Sequence, residues 1–485
     1  MDFTILDPLE LASWVAAALQ LALVIGVILR VMLTRHPPGS SFAWILITVL
    51  VPYIGFILYL LLGEKSLGRW HSRNIRREMR RRRQQFRHIP LGDDYAPLHH
   101  RGLCRLASRL GKYPLTRESS LHLMSDPAEI MTRIITDIDA AKEQILMEFY
   151  IWDLGGRADD VSAALVRAAK RGVQCFVLVD DIGSAQFLKS NWVNIFRQAG
   201  IVLQCALEVS FFSALFARAD IRLHRKIIVI DHEIGYSGSM NVADPLFFKR
   251  DENVGQWVDA MVRAKGEIVK SLHHLFTFDW NVNNDKNPIP TYKFNKPPYD
   301  ASDRANVMLV PSGPGTSTDA NMRIMLEAIY QAKKSIHIVT PYFVPSEALV
   351  LALQNAAVRG VDVQLIIPEK SDSKLVTYAS HRYFDDLLQA GVRIFFFQNG
   401  VLHTKSLLVD NEISLFGTVN MDMRSMHINY ELMLLVLDKE FCTKIDKMHD
   451  DYRMQSRPIS LVRWYHRPLL VRMKEGASYL LSPLL

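Results

Sequence analysis

Cysteine is scarce in this chain. The four residues among 485, Cys104, Cys175, Cys205 and Cys442, lie far apart and form no C-x-x-C pair. A zinc knuckle and a disulfide framework are thereby excluded, and a reducing compartment fits. Cys175 falls in the apolar run Cys175-Phe176-Val177-Leu178-Val179 and reads as a buried structural thiol. No G-x-G-x-x-G fingerprint occurs, and Pro311-Ser312-Gly313-Pro314-Gly315 lacks the Lys-Ser/Thr ending of a nucleotide loop, so a turn is expected there. His99-His100 and His273-His274 have no ligand-like company, and Asp180-Asp181 reads as a loop or cap pair, so no metal site is expected. Positive charge is missing from the N-terminus, which carries Asp2, Asp7 and Glu10, unlike a secretory signal peptide.

Charge is nearly absent from two long runs. Leu9 to Leu33 is almost wholly apolar apart from Glu10, Gln20 and Arg30, and Phe42 to Leu62 carries no charge. Each matches the roughly 20 helical residues that cross a hydrocarbon core. With the turn Arg35-His36-Pro37-Pro38-Gly39 between them, they predict a transmembrane hairpin over residues 1–63.

Acidic residues then give way to a basic stretch holding Lys65, Arg69, Arg73, Arg76, Arg77, Arg80, Arg81, Arg82, Arg83 and Arg87. Basic residues beside a span stay on the cytoplasmic side, which is expected to place both termini there. Residues 64–120 are expected to form an interfacial segment that gathers anionic lipid. The net charge of +7 suits a partner bearing phosphate.

From about Leu121 the chain alternates strands and helices, and does so twice. Ala141-Lys142-Glu143-Gln144-Ile145-Leu146-Met147 resembles Ala332-Lys333-Lys334-Ser335-Ile336-His337-Ile338. Ala168-Ala169-Lys170-Arg171-Gly172-Val173 matches Ala356-Ala357-Val358-Arg359-Gly360-Val361, a helix end, a glycine cap and a strand. Gln198-Ala199-Gly200 answers Gln389-Ala390-Gly391. The spacing, roughly 180–190 residues, is too long for a solenoid. The expected fold is α/β: two duplicated domains, 121–283 and 299–485, packed as a pseudo-dimer and joined by a linker from Asn284 to Pro298.

Each copy carries one chemical motif. His224-x-Lys226 is followed by Asp231 and then Gly238-Ser239-Met240-Asn241. His403-x-Lys405 is followed by Asp410 and then Gly417-Thr418-Val419-Asn420. His and Lys two apart on a strand project from the same face into one pocket. Lysine supplies positive charge for a phosphate, to whose oxygens Ser239, Thr418, Asn241 and Asn420 would donate. A histidine with a free ring nitrogen attacks phosphorus, and a charged one protonates a leaving alkoxide. Two sets therefore supply a nucleophile and a general acid at a shared site.

These residues resemble the HKD signature of the phospholipase D superfamily. Three further stretches resemble bacterial cardiolipin synthases of the type with a membrane hairpin. They are Ser40 to Leu46 with Pro52 and Gly55, Thr340-Pro341-Tyr342-Phe343-Val344-Pro345, and Asn420-Met421-Asp422-Met423-Arg424-Ser425 with Asn429 and Glu431. Leu481 to Leu485 is similar to the family's C-terminal end.

The resemblance implies reversible phosphatidyl transfer between two phosphatidylglycerols, giving cardiolipin and glycerol, with no nucleotide or metal cofactor and no nucleic-acid partner. It implies His224 as nucleophile, His403 as general acid and then base, and Lys226, Lys405, Asn241 and Asn420 around the phosphate. Glu431 would orient the opposite histidine, with Glu252 or Asp251 as its counterpart in the first copy. Asp231 and Asp410 are expected to be supports beside the site, not proton carriers. A hydrolase using water as acceptor, or a membrane-tethered nuclease, would use the same motif. Phe211, Phe212, Leu215 and Phe216 suit either a lipid entrance or ordinary core packing.

Overall fold

The structure is a computed structural model. It describes residues 8–34, 38–63, 68–85, 96–208, 220–249, 252, 254–284, 288–289 and 304–481. Several expectations fall outside these residues: the turn at Arg35 to Pro37, Lys65 and Arg87, the Phe211 to Phe216 segment, Asp251, most of the 284–298 linker, and Ser482 to Leu485.

In the N-terminal unit, Pro8–Leu33 forms helix α1 of 26 residues. At 1.5 Å per residue it is about 39 Å long, enough to cross a bilayer core. Among the described residues it alone is long and apolar enough to do so.

The second apolar run is not one straight helix. It divides into α2 (Pro38–Leu50) and α3 (Pro52–Leu58), with a π-helical turn at Tyr59–Gly63. Pro52 has no amide hydrogen and forces the residue before it out of helical conformation, and Val51 sits at φ −136°, ψ 74°. The chain then turns back on itself. Trp44 and Tyr59 meet edge to face with ring centroids 5.7 Å apart, although a straight helix would separate them by roughly 22 Å.

Gly55 permits the reversal, since a Cβ there would lie 2.6 Å from the Thr48 Cα. Val27 and Val31 of α1 are buried with Tyr59, against Trp44, Ile45 and Phe56. The basic stretch forms helix α4 (Gly68–Gln85).

The second unit holds the two copies, built on sheets of matching topology. The first sheet runs in the order Ser119–Met124, Met261–Gly266, Ile234–Gly238, Ile227–Ile230, Gln144–Phe149, Gln174–Asp180, Val202–Ala206. The second repeats it as Val307–Ser312, Glu431–Val436, Ile413–Gly417, Ser406–Val409, Ser335–Val339, Asp362–Pro368, Arg393–Phe397. It adds Leu115–Thr116 and Ser456–Pro458 at its edges. In each, the last three matching strands are parallel and the rest antiparallel.

The strands Ile227–Ile230 and Ser406–Val409, which follow the H-x-K residues, are buried at every position. That is why Ile227–Ile230 reads as an unbroken apolar run, and Ser406–Val409 as one but for Ser406. Helix Glu267–Asn283 packs on strands of both sheets, and so does Lys439–Met454. Glu267–Asn283 is accordingly buried nearly all round. These two helices hold the halves together.

Candidate active site

The motif histidines lie just before the strands Ile227–Ile230 and Ser406–Val409, where each half reaches across to the other. Leu223 forms a parallel bridge with Tyr430, and the His224 amide donates to the Tyr430 carbonyl at 2.9 Å. This register sets Glu431 beside His224. On the other side, Val401–Leu402 pairs in parallel with Trp257–Val258, and the His403 amide donates to the Val258 carbonyl at 2.8 Å. Asp259 thereby comes to lie beside His403.

Each histidine is held by a carboxyl group of the opposite half. His224 Nδ1 is 2.9 Å from the Glu431 carboxyl, and His403 Nδ1 is 2.7 Å from Asp259 Oδ1. The carboxyls are held in turn by the hydroxyls of the downstream motifs. The Thr418 hydroxyl donates to Glu431, and Ser239 Oγ donates to Asp259 Oδ1 at 2.6 Å. Ser239 and Thr418 thus orient carboxyls, a different duty from the phosphate contact expected of them.

Among the described residues the counterpart of Glu431 is Asp259, not Glu252. It stands 18 residues after Asn241 (259 − 241), whereas Glu431 stands 11 after Asn420 (431 − 420). The first copy has the longer connection, so an equal offset pointed to the wrong residue. Glu252 instead lies 3.5 Å from Lys249, which also pairs with Asp372.

His224, Asn241, His403 and Asn420 line one cavity of about 1050 Å³, shared by both halves. Tyr150 meets the His224 ring edge to face, and Trp257 does so with His403. Lys226 and Lys405 lie buried behind the histidines, and each ammonium donates to its own histidine's carbonyl, at 2.8 and 2.5 Å. Three more cations line the cavity: Arg222, Lys249 and Arg424. The sequence offers a signal for Arg424, which belongs to the stretch after Asn420, but none for Arg222 or Lys249.

Burial and crowded positive charge set the protonation states. Burial first, then Lys226, Lys405 and Arg424, hold His224 well below the usual imidazole range. Burial and Lys405 lower His403 to about 4, against the pull of Asp259. Asp259 goes down to about 2 because His403, Lys405 and Ser239 outweigh the cost of its burial. Glu431 goes the other way, up to about 8, because burial outweighs the lysines and Thr418. Burial also lowers Lys226 to about 8. Asp259 is therefore a carboxylate at neutral pH, whereas Glu431 tends to keep its proton.

Asp231 and Asp410 sit at the far ends of the strands that begin at the site. Each accepts three backbone amide hydrogens. Those of Lys142, Glu143 and Gln144 reach Asp231 at 2.8–2.9 Å, and those of Lys333, Lys334 and Ser335 reach Asp410 at 2.7–2.8 Å. Seven residues of extended chain, about 23 Å, part each from its histidine. They are supports remote from the site, not beside it.

Arg225, a residue that sequence reasoning passed over, points to the opposite face of its strand. It is fully buried, pairs with Asp279, and donates to the carbonyls of Glu431 at 3.1 Å and Ser312 at 2.9 Å. It thus fixes the backbone that carries Glu431. Asp180 accepts from the amides of Ile182, Gly183 and Leu223 and pairs with Arg222, a loop role. His99 and His100 do acquire a carboxylate neighbour, Glu412, at 3.6 and 3.7 Å.

Paired H-x-K sets sharing one cavity across a pseudo-dimer define a two-motif member of the phospholipase D superfamily. A family model described as "Cardiolipin synthase, PLD-like domain" matches residues 134–280 and 325–452, and one described as "Phospholipase_D-nuclease N-terminal" matches residues 19–64. The chain is 39% identical to Cardiolipin synthase A of Klebsiella pneumoniae over 480 residues, covering 98% of each chain. It is also 39% identical to Cardiolipin synthase A of Escherichia coli over 485 residues, covering 98% of this chain and 99% of that one. In fold it is similar to the phosphatidylserine synthase of Haemophilus influenzae, with a TM-score of 0.60 and 14% identity over 79% of this chain and all of that one. The chain belongs to the cardiolipin synthase family and is a phosphatidyltransferase.

Proposed function

We propose that the chain condenses two phosphatidylglycerols into cardiolipin, releasing glycerol, through a phosphatidyl-histidine on His224. The observation that carries this reading is the crosswise pairing of each histidine with a carboxyl of the other half. Held at Nδ1, each ring keeps Nε2 for the cavity they share.

The unlike states of the two carboxyls favour unlike duties. Glu431 tends to stay neutral and leaves His224 a neutral nucleophile, whereas the Asp259 carboxylate stabilises an imidazolium on His403. His224 Nε2 attacks the phosphorus of the first lipid while His403 gives a proton to the departing glycerol oxygen. His403 then takes the hydroxyl proton of the second phosphatidylglycerol, whose oxygen displaces histidine. One phosphodiester replaces another, so the exchange is reversible. An incoming phosphodiester anion offsets the charges of Lys226 and Lys405 and raises His403 toward the protonated state it needs.

The chain is membrane-associated. We place the catalytic halves on the cytoplasmic face of a bacterial membrane, because the Arg-rich α4 follows the membrane unit directly. With α1 as the crossing helix and the second run folded back, the N-terminus then lies on the opposite face. On this reading the termini lie on opposite faces, in contrast to the expectation that both share one side.

The test uses purified full-length protein in phosphatidylglycerol vesicles with a chelator and no nucleotide, following cardiolipin and glycerol together. Equimolar products, lost in His224→Ala, support the reading. Phosphatidic acid without cardiolipin would make water the acceptor and the protein a hydrolase.

A further inference from the structure

We propose that the rim of the catalytic cavity is a docking surface whose occupant is the surface of an anionic bilayer, an inference that rests on the lipid reading of the site. Ile182 and Phe247 line the cavity, yet stay 54% and 55% exposed. Leu246, next to Phe247, is 64% exposed, and Leu375, next to the cavity-lining Val376, is 39% exposed. They come from three separate segments: the turn after the strand Gln174–Asp180, the turn at Asp244 to Lys249, and the start of helix Lys374–Gln389.

Scattered apolar residues on a surface need no explanation. Four around one opening, contributed by both halves, are a different matter. Exposed Lys374 opens helix Lys374–Gln389, exposed Lys370 precedes it by four residues, and exposed Lys189 follows the helix Ala185–Leu188 that succeeds the first turn. Cations beside an apolar rim complement anionic headgroups. A lipid whose acyl chains remain in the bilayer brings its phosphate to the histidines only if this opening faces the membrane. Val358, 75% exposed, lies at the opposite strand ends beside Gly360 and serves as an internal control.

Full-length protein in phosphatidylglycerol vesicles is spin-labelled at Leu246→Cys, Leu375→Cys or Val358→Cys, and collision rates with oxygen and a water-soluble nickel chelate are compared. Background is set by the unmutated chain, in which Cys104, Cys175 and Cys442 are buried and Cys205 half-buried. Positions 246 and 375 should favour oxygen and position 358 nickel. Equal nickel access at all three positions overturns the proposal. So does exclusion of both reagents at 246 and 375, which would mean that protein covers the rim.

A second arm uses the double variant Leu246→Ser/Leu375→Ser. Cardiolipin formation from bilayer lipid should fall on the order of 10-fold, while glycerol release from monomeric short-chain phosphatidylglycerol stays within about twofold. Equal loss on both substrates counts against docking. If the unmutated protein releases no glycerol from either substrate, the catalytic reading fails, and the depth measurement still decides the docking question.

Discussion

Asp259→Asn isolates the charge that His403 leans on. The carboxylate lies 2.7 Å from His403 Nδ1 and 2.6 Å from Ser239 Oγ. Asparagine keeps the shape and one acceptor but loses the negative charge. A net charge-assisted hydrogen bond is worth about 1.5–3 kcal/mol, and a unit charge at about 4 Å in an effective dielectric near 20 is worth about 4. The imidazolium of His403 should therefore be disfavoured by roughly 1.5–4 kcal/mol, slowing turnover roughly 10- to 1000-fold.

The assay is cardiolipin and glycerol production from labelled phosphatidylglycerol vesicles. Because the loss falls on proton transfer, kcat should drop more than KM rises. Glu252→Gln is the control and should cost less than about twofold, since Glu252 contacts Lys249 and not a motif histidine. Asp259→Asn with more than half of wild-type turnover, or Glu252→Gln as damaging as Asp259→Asn, would refute the crosswise pairing as the source of acid–base function.

Lys226 is charged below about 8 and neutral above it, so KM for the anionic donor should rise as pH climbs through 8. A flat KM between pH 6 and 9.5 would contradict this. Asp231→Ala removes three amide contacts and puts alanine at φ +50°. A loss of roughly 2–4 kcal/mol is expected, seen as a lower midpoint of thermal inactivation with turnover of the folded enzyme little changed. A cysteine placed at the N-terminus should react with an impermeant thiol reagent from the outside of intact cells, while one in α4 should not. Gly55→Leu should disrupt the fold-back by driving a side chain into Thr48, giving lower membrane yield.

Much was settled by pattern alone. The two charge-poor runs, the duplication and the doubled H-x-K motif are properties of local sequence, because apolar periodicity and a repeated spacing survive any arrangement in space. His224, Lys226, His403 and Lys405 were legible for that reason, and Glu431 through family resemblance. What pattern could not carry was contact across the halves. Asp259 reaches His403 only because Trp257–Val258 pairs with Val401–Leu402, residues about 144 positions apart in the chain.

Sequence reasoning passed over Arg225 between His224 and Lys226, yet strand alternation sends it to the other face, where it anchors Glu431. The run Phe42 to Leu62 reads as a single span in sequence; the break at Val51–Pro52 and the packing of Trp44 on Tyr59 make it a reversal. The sequence by itself determined which chemical groups the protein owns and that it owns them twice. The tertiary structure decided which carboxyl serves which histidine, because strand register between the halves is set by long-range packing that no local spacing records.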